Sequence, residues 1–186
     1  MSNINRYKLA VLIILGVINS SCAHHSILKY NRSDWAHWTD QNHDCFDTRQ
    51  EILRSRSEVT PKIKIVKNKC HVASGLWSDY YFSEKLDSPT VIDIDHLVPL
   101  KHAHDAGGSQ WSPAMRAEFA NDSENLVITN KSYNRQKGSK SIDRWLPIDI
   151  VYACKYYRDW MKIKNKYKLA ISKEEVLAVD VNRCIK

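Results

Sequence analysis

Three short segments hold side chains whose types, taken together, could do chemistry. They are Asp93-Ile-Asp95-His96-Leu-Val-Pro99-Leu100, Asp122-Ser-Glu-Asn125-Leu126-Val-Ile, and Asn134-Arg135-Gln136-Lys137-Gly138-Ser-Lys140. A carboxylate, an amide oxygen and an imidazole are what hydrolysis of a phosphodiester asks for. A hard divalent cation has to neutralise charge on the phosphate and on the leaving oxygen, and it prefers oxygen donors. Asp95 offers a carboxylate and Asn134 an amide oxygen, with water and phosphate to fill the remaining positions. Asp93, two residues earlier and on the same strand face, is a further candidate for the metal, through water or by orienting a ligand. His96 adjoins Asp95 and points to the opposite side of a strand, but a bend at the strand end brings its ring over the same phosphate. With an ordinary pKa of about 6.5 it can take a proton from water, provided its tautomer is fixed. Asn125 is the candidate for fixing it.

Other polar groups carry weaker signals. Arg135, Lys137 and Lys140 follow the metal-ligand position and suit a grip on flanking phosphates. The lysines between positions 155 and 166 suit the same role, and for both groups a solvated helix face is the alternative. His102 and His104 form an HxH pair, for which a surface loop is the default reading over a metal site.

The elements that must position these residues follow from local pattern. The β-rich run from Thr90 to Leu100 carries Asp93, Asp95 and His96. Leu126 to Ile128 reads as a second strand, and Thr129 as the cap of a helix stopping at Gly138. Strand, loop, strand, helix puts Asn134 on a helix facing the end of the first strand. Around this unit, Thr48-Arg-Gln-Glu51 reads as a capping box opening a helix to about Ser55. Lys62 to Val66 and Val72 to Trp77 read as strands, and Ser78 to Ser88 as a loop. Ser112-Pro113 starts a helix ending near Asn121. Tyr152 to Tyr167 is amphipathic, and Ser172-Lys-Glu-Glu175 is a second capping box. The expected fold class is α+β, with a small antiparallel sheet and more helix than strand.

The N-terminus reads as an export signal. Arg6 and Lys8 precede an apolar run from Leu9 to Ile18, followed by small residues from Ser20 to Ala23. The run is shorter than the roughly 20 residues that span a bilayer. Cleavage after Ala23 would leave a chain starting at His24-His25. Ser21-Cys22 also resembles the end of a lipoprotein box, with Cys22 acylated and the protein membrane-anchored, although Asn19 weakens that match. Soluble export, periplasmic or extracellular, is favoured. Residues 24–186 are then expected to form a single domain, and removal of residues 1–23 keeps the charge positive, since the whole chain carries +7. A basic exported protein favours polyanionic partners such as nucleic acid or anionic lipid; among nucleic acids, DNA is expected ahead of RNA. Cys45, Cys70, Cys154 and Cys184 remain in the mature part. Four cysteines allow three pairings; Cys45–Cys70 and Cys154–Cys184 are expected, because each pair brackets one short run of elements. No CxxC pair is present, which argues against structural zinc.

Taken in order, Asp95-His96 with Leu-Val-Pro99, then Glu-Asn125-Leu, then Asn134-Arg-x-Lys-Gly resembles the HNH endonucleases, the ββα-metal family. The wider context resembles small exported bacterial proteins with a GmrSD C-terminal-like HNH domain. Trp35, Asp44-Cys45, Thr48-Arg49, Ser74-Gly75-x-Trp77, Gly107-Gly108-x-x-Trp111 and Trp145-Leu-Pro147 carry that likeness over most of residues 30 to 160. The resemblance implies a ββα core at about residues 90–140 and a metal-dependent endonuclease. It implies Asp95 and Asn134 as metal ligands, His96 as general base, and Asn125 as the residue that holds the active loop. Some HNH enzymes carry a zinc-binding cysteine pair that this chain lacks, and disulfides would do the stapling instead. Asn134 stands where a final histidine is more common, which favours Mg²⁺ or Mn²⁺ over softer metals. No second DNA-reading element is visible, so low sequence specificity is expected. An RNase, a dual nuclease, and a non-catalytic nucleic-acid-binding envelope protein are the alternatives.

Overall fold

The computed structural model describes residues 29–184, so the leader, Cys22, His24 and His25 lie outside the described residues. Among the described residues, no helix is long and apolar enough to cross a membrane.

At the centre, β5 (Ile92–His96) pairs antiparallel with β6 (Leu126–Asn130), and α4 (Lys131–Lys137) begins on the next residue. The pair sorts its side chains by alternation. Ile92, Ile94 and His96 share one face with Leu126 and Ile128, while Asp93 and Asp95 stand opposite Thr129 and Val127 on the other. The apolar face packs on α1 (Thr48–Ser55) through Ile52 and Leu53, with Val72 and Trp77 completing the cluster. The second face meets α4 and borders the larger core of Trp35, Tyr81, Leu97, Phe119, Tyr156 and Trp160.

The strand β6 runs two residues beyond the expected Ile128, because the buried Asp79 carboxylate accepts from both Thr129 Oγ1 (2.9 Å) and Asn130 N (2.6 Å). With Thr129 so engaged, Asn130 caps α4 by accepting from Ser132 N. Gly138 then takes φ 55°, a conformation that suits glycine, and ends the helix.

The other strands form two small ribbons, β1 (Lys62–Val66) with β2 (Lys69–Ser74), and β3 (Trp77–Ser78) with β4 (Lys85–Leu86). The expected strand from Val72 to Trp77 is thus divided, and the expected loop from Ser78 to Ser88 contains a short strand pair. The break falls at Gly75, where the Trp77 ring lies so close that a Cβ would meet it at 2.5 Å. Trp77 anchors that turn by donating from Nε1 to Leu53 O at 2.8 Å.

Helix α1 spans the expected residues with a different cap. Asp47 accepts from Gln50 N, and Thr48 Oγ1 donates instead to Thr39 O and Asn121 Oδ1. Helix α2 (Leu100–Asp105) starts after Pro99, so the HxH pair is helical rather than in a loop. Helix α3 (Pro113–Asn121) carries the Ser112 cap. Helix α5 (Ile150–Lys166) is capped by Asp149, and α6 (Lys173–Val176) by the Ser172–Glu175 box. Disulfides join Cys45 to Cys70 and Cys154 to Cys184, the first tying the β1–β2 ribbon to the loop before α1. The chain is therefore a mixed α/β fold with small antiparallel sheets and two disulfides.

Candidate active site

Helix α4 lies along β5 so that two of its residues, one turn apart, meet two alternate residues of the strand. Three helical residues rise about 4.5 Å and two strand residues about 6.6 Å, close enough for both pairs to meet. Asn134 Nδ2 donates to Asp93 Oδ2 at 2.9 Å. Lys137 Nζ lies 2.9 Å from Asp95 Oδ2 and donates to His96 O at 2.8 Å. Tyr81 OH adds a second contact to Asp95, donating to Oδ2 at 2.6 Å.

Lys137 is wholly buried, which corrects the expectation that it grips flanking phosphates. A buried carboxylate demands a countercharge, and Lys137 is the cation whose stem reaches Asp95. Burial pulls the Lys137 ammonium below its ordinary range while Asp95 opposes that pull. Burial, then the Asp95 charge, pushes the Tyr81 phenol well above its own. Both hydrogens directed at Asp95 fall on Oδ2, and neither uses Oδ1.

His96 is buried on the opposite face of β5, its ring tilted against Trp38 at 5.8 Å between centroids. Its Nε2 lies 2.8 Å from Ala120 O. A carbonyl only accepts, so Nε2 carries the hydrogen and the lone pair of the neutral ring sits on Nδ1. Burial pushes the imidazole down to about 3, which keeps it neutral at physiological pH. Asn125 is not the group that orients this ring. Its Oδ1 accepts from Val98 N at 2.9 Å, its Nδ2 donates to Val98 O at 3.4 Å, and its own carbonyl accepts from Leu97 N at 2.8 Å. Asn125 thus holds the turn that follows His96, and Ala120 orients the ring. Sequence reading missed Ala120 because a main-chain carbonyl leaves no mark in residue type.

Asp95, His96 and Asn134 line one cleft of about 410 Å³, and Arg135, Arg32 and Lys101 supply its cationic walls. Arg32 and Lys101 were not singled out from sequence; Arg32 comes from a 3-10 turn remote from the motif, and Lys101 from α2, which directly follows its first segment. Lys140 is exposed, donates to Gln136 O at 2.6 Å, and is not part of the cleft wall. A larger hollow of about 550 Å³ beside Tyr80 and α5 contains none of Asp95, His96 and Asn134. Its acids are engaged, Asp159 by Tyr80 OH and Glu124 by Lys162 and Lys166, so the smaller cleft is the one with chemistry to offer.

The donor set suits a hard cation. Asn134 spends its amide nitrogen on Asp93, which leaves the amide oxygen as the group for a metal, beside the Asp95 carboxylate. Among the described residues, no group of three or more His, Cys, Asp or Glu side chains could hold a metal, so an ion here would rest on few protein ligands. The HxH pair is split. His102 Nε2 meets Glu175 at 3.1 Å and Lys164 at 2.9 Å, whereas His104 is buried against the Tyr30 and Trp35 rings. The α5 lysines are also engaged internally: Lys155 lies over the Tyr80 ring, and Lys162 and Lys166 pair with acids of the segment before β6.

No solved structure matches the chain. An "Uncharacterized secreted protein" of Arthroderma benhamiae is 31% identical over 159 residues, covering 83% of this chain and 76% of the relative. The family model described as "GmrSD restriction endonucleases, C-terminal domain" matches residues 47–176, a span that contains β5, β6 and α4. The chain belongs to the family of GmrSD restriction endonuclease C-terminal domains, an HNH-like nuclease family.

Proposed function

We propose that this chain is an exported, metal-dependent endonuclease that hydrolyses phosphodiester bonds of DNA with little base specificity, and that β5, β6 and α4 are its ββα-metal core. One observation carries the reading: a neutral imidazole with its Nδ1 lone pair available lines the same basic cleft as two hard oxygen donors, Asp95 and Asn134. A divalent cation, Mg²⁺ or Mn²⁺, held by Asp95 and Asn134 would supply charge neutralisation at the scissile phosphate and the leaving oxygen.

The chain's own residues do the rest. His96 Nδ1 takes the proton of the attacking water while Nε2 stays on Ala120 O. Asp93 holds the Asn134 amide, and Lys137 with Tyr81 holds the Asp95 carboxylate. Asn125 keeps the turn after His96 in place. Arg32, Lys101 and Arg135 draw the phosphate backbone to the cleft, and Lys140 adds charge near α4. The leader at residues 1–23 directs export, with release after Ala23 rather than acylation at Cys22, leaving one domain from residue 24 onward.

The test is plasmid cleavage by the oxidised mature protein with Mg²⁺ or Mn²⁺, beside EDTA and His96→Ala controls. Nicking and linearisation are expected, with loss in EDTA and a fall of about 10²–10⁴-fold in His96→Ala. Parallel single-stranded DNA and RNA substrates measure the preference, and RNA cut faster than DNA would make this an RNase. A folded wild type silent on every substrate and metal would overturn the reading in favour of a binding protein.

A further inference from the structure

The β1–β2 ribbon carries charge of one sign. From Val59 to Ser78 the sequence holds no acid, yet Lys62, Lys64, Lys67 and Lys69 fall within it. The ribbon turns through two residues, Lys67 and Asn68, both with positive φ (49° and 60°), as a tight twisted hairpin requires. Every residue of β1 is exposed. Pairing puts Lys64 across from His71 and Val66 across from Lys69 on the outer face, whereas the alternate residues of β2, Cys70 and Val72, are buried toward α1. Among the described residues, none of these four lysines enters an ion pair, whereas Lys137, Lys164 and Lys166 each meet a carboxylate.

The ribbon is also fixed to the candidate catalytic strand. Adjacent residues of α1 touch both: Gln50 Oε1 accepts from Val72 N at 2.8 Å, and Arg49 donates to Ile92 O at 3.0 Å. The Cys45–Cys70 disulfide clamps the same corner.

We propose that the β1–β2 ribbon is a second nucleic-acid-binding element that lies against the phosphate backbone of a duplex while the cleft engages the scissile bond. This rests on the nuclease reading above. A lone, unpaired run of positive charge on a rigid arm suits a polyanion, and a two-stranded ribbon is of a size that a DNA major groove admits. The contacts are to phosphates, so the element contributes affinity without reading bases. The exposed Ile63, Ile65 and Val66 are the features that would suit an anionic membrane instead, and the experiment includes that arm.

The variant is Lys62→Gln/Lys64→Gln/Lys67→Gln/Lys69→Gln in the oxidised mature protein, with its fold checked by circular dichroism. Binding of a 25-base-pair duplex in EDTA is followed by fluorescence anisotropy across a salt series, beside phosphatidylglycerol vesicles and hydrolysis of bis(p-nitrophenyl) phosphate with Mn²⁺. The expected result is duplex binding weakened about tenfold or more at low salt, and a salt slope reduced by about 2–4, since each lost phosphate contact removes about 0.9. Hydrolysis of the small diester is expected to stay at the wild-type rate. Unchanged duplex affinity and slope would overturn the ribbon while leaving the nuclease reading intact. Wild type that hydrolyses the diester but binds no duplex would do the same, as would a lysine effect confined to vesicles. Failure of the nuclease reading shows separately, as wild type that hydrolyses neither plasmid nor diester.

Discussion

Lys137 with Asp95 and Lys164 with Glu175 are both buried ion pairs, and both have 2.9 Å contacts. They differ in how the carboxylate is finished. Glu175 is saturated: Lys164, His102 and Trp160 Nε1 meet Oε1, while Lys164 and Ser172 N meet Oε2. These bonds tie α2, α5 and α6 together. Asp95 receives its hydrogens from Tyr81 and Lys137 on one oxygen, and the residue lines the cleft. A carboxylate with every acceptor position filled is a staple. One secured by a single oxygen at the wall of a basic cleft keeps capacity for a ligand, which is how a fold holds a charged group still without consuming it.

Removing each lysine tests that difference most strongly. Lys164→Met and Lys137→Met each leave a buried carboxylate without its ammonium partner and are expected to cost about 3–5 kcal/mol in urea unfolding. Per folded molecule, plasmid cleavage should be unchanged in Lys164→Met and reduced about 10²-fold in Lys137→Met, since misplacing a reacting group by an ångström costs that much. Equal activity losses in the two variants would break the comparison.

Acid should separate the regions next. His96 has its folded-state pKa pushed down to about 3, so the unfolded chain takes up the proton first. Its contribution is complete above about pH 6.5 and is lost as pH falls toward 3, on the order of 2 kcal/mol by pH 5. Burial alone would raise Glu175, but bonds from His102, Ser172 and Lys164 bring it down to about 2, so its contribution is lost only below about pH 4.5. Urea midpoints at pH 7 and 5 should differ in wild type and differ less in His96→Gln; an equal drop in the variant would assign the loss elsewhere. The smallest expected effect is that of Asn125→Ala. Freeing the Val98 main chain should cost about 1–3 kcal/mol in stability and lower cleavage, with metal affinity measured by Mn²⁺ calorimetry left near wild type.

Much of this centre was legible because it is local. The alternation of Ile92, Asp93, Ile94 and Asp95 dictates two faces, and Gly138 marks the end of α4, so Asn134 falls on a helix beside the strand. The amphipathic run of α5 and the Ser172 capping box were readable for the same reason. What escaped depends on partners far along the chain. Thr129 is drawn away from capping by Asp79, fifty residues earlier, and Thr48 by Thr39 and Asn121. Lys137 looks like any solvated lysine until Asp95 is known to be buried beside it. His102 joined an ion cluster with α5 and α6 that no local pattern announces. Arg32 reaches the cleft only through tertiary packing.

The bond between His96 Nε2 and Ala120 O has a consequence for motion. Ala120 lies in the last turn of α3, where main-chain carbonyls lack partners within the helix, so the ring finishes that helix end. A half-turn about the Cβ–Cγ bond would exchange Nε2 for a carbon and Nδ1 for another, and would forfeit the contact. The ring is therefore denied the flips that an exposed histidine makes freely, and its reactive nitrogen keeps one bearing. The steering of that nitrogen belongs to α3, a helix with no chemistry of its own, so a substitution that slides α3 against β5 re-aims His96 without touching it.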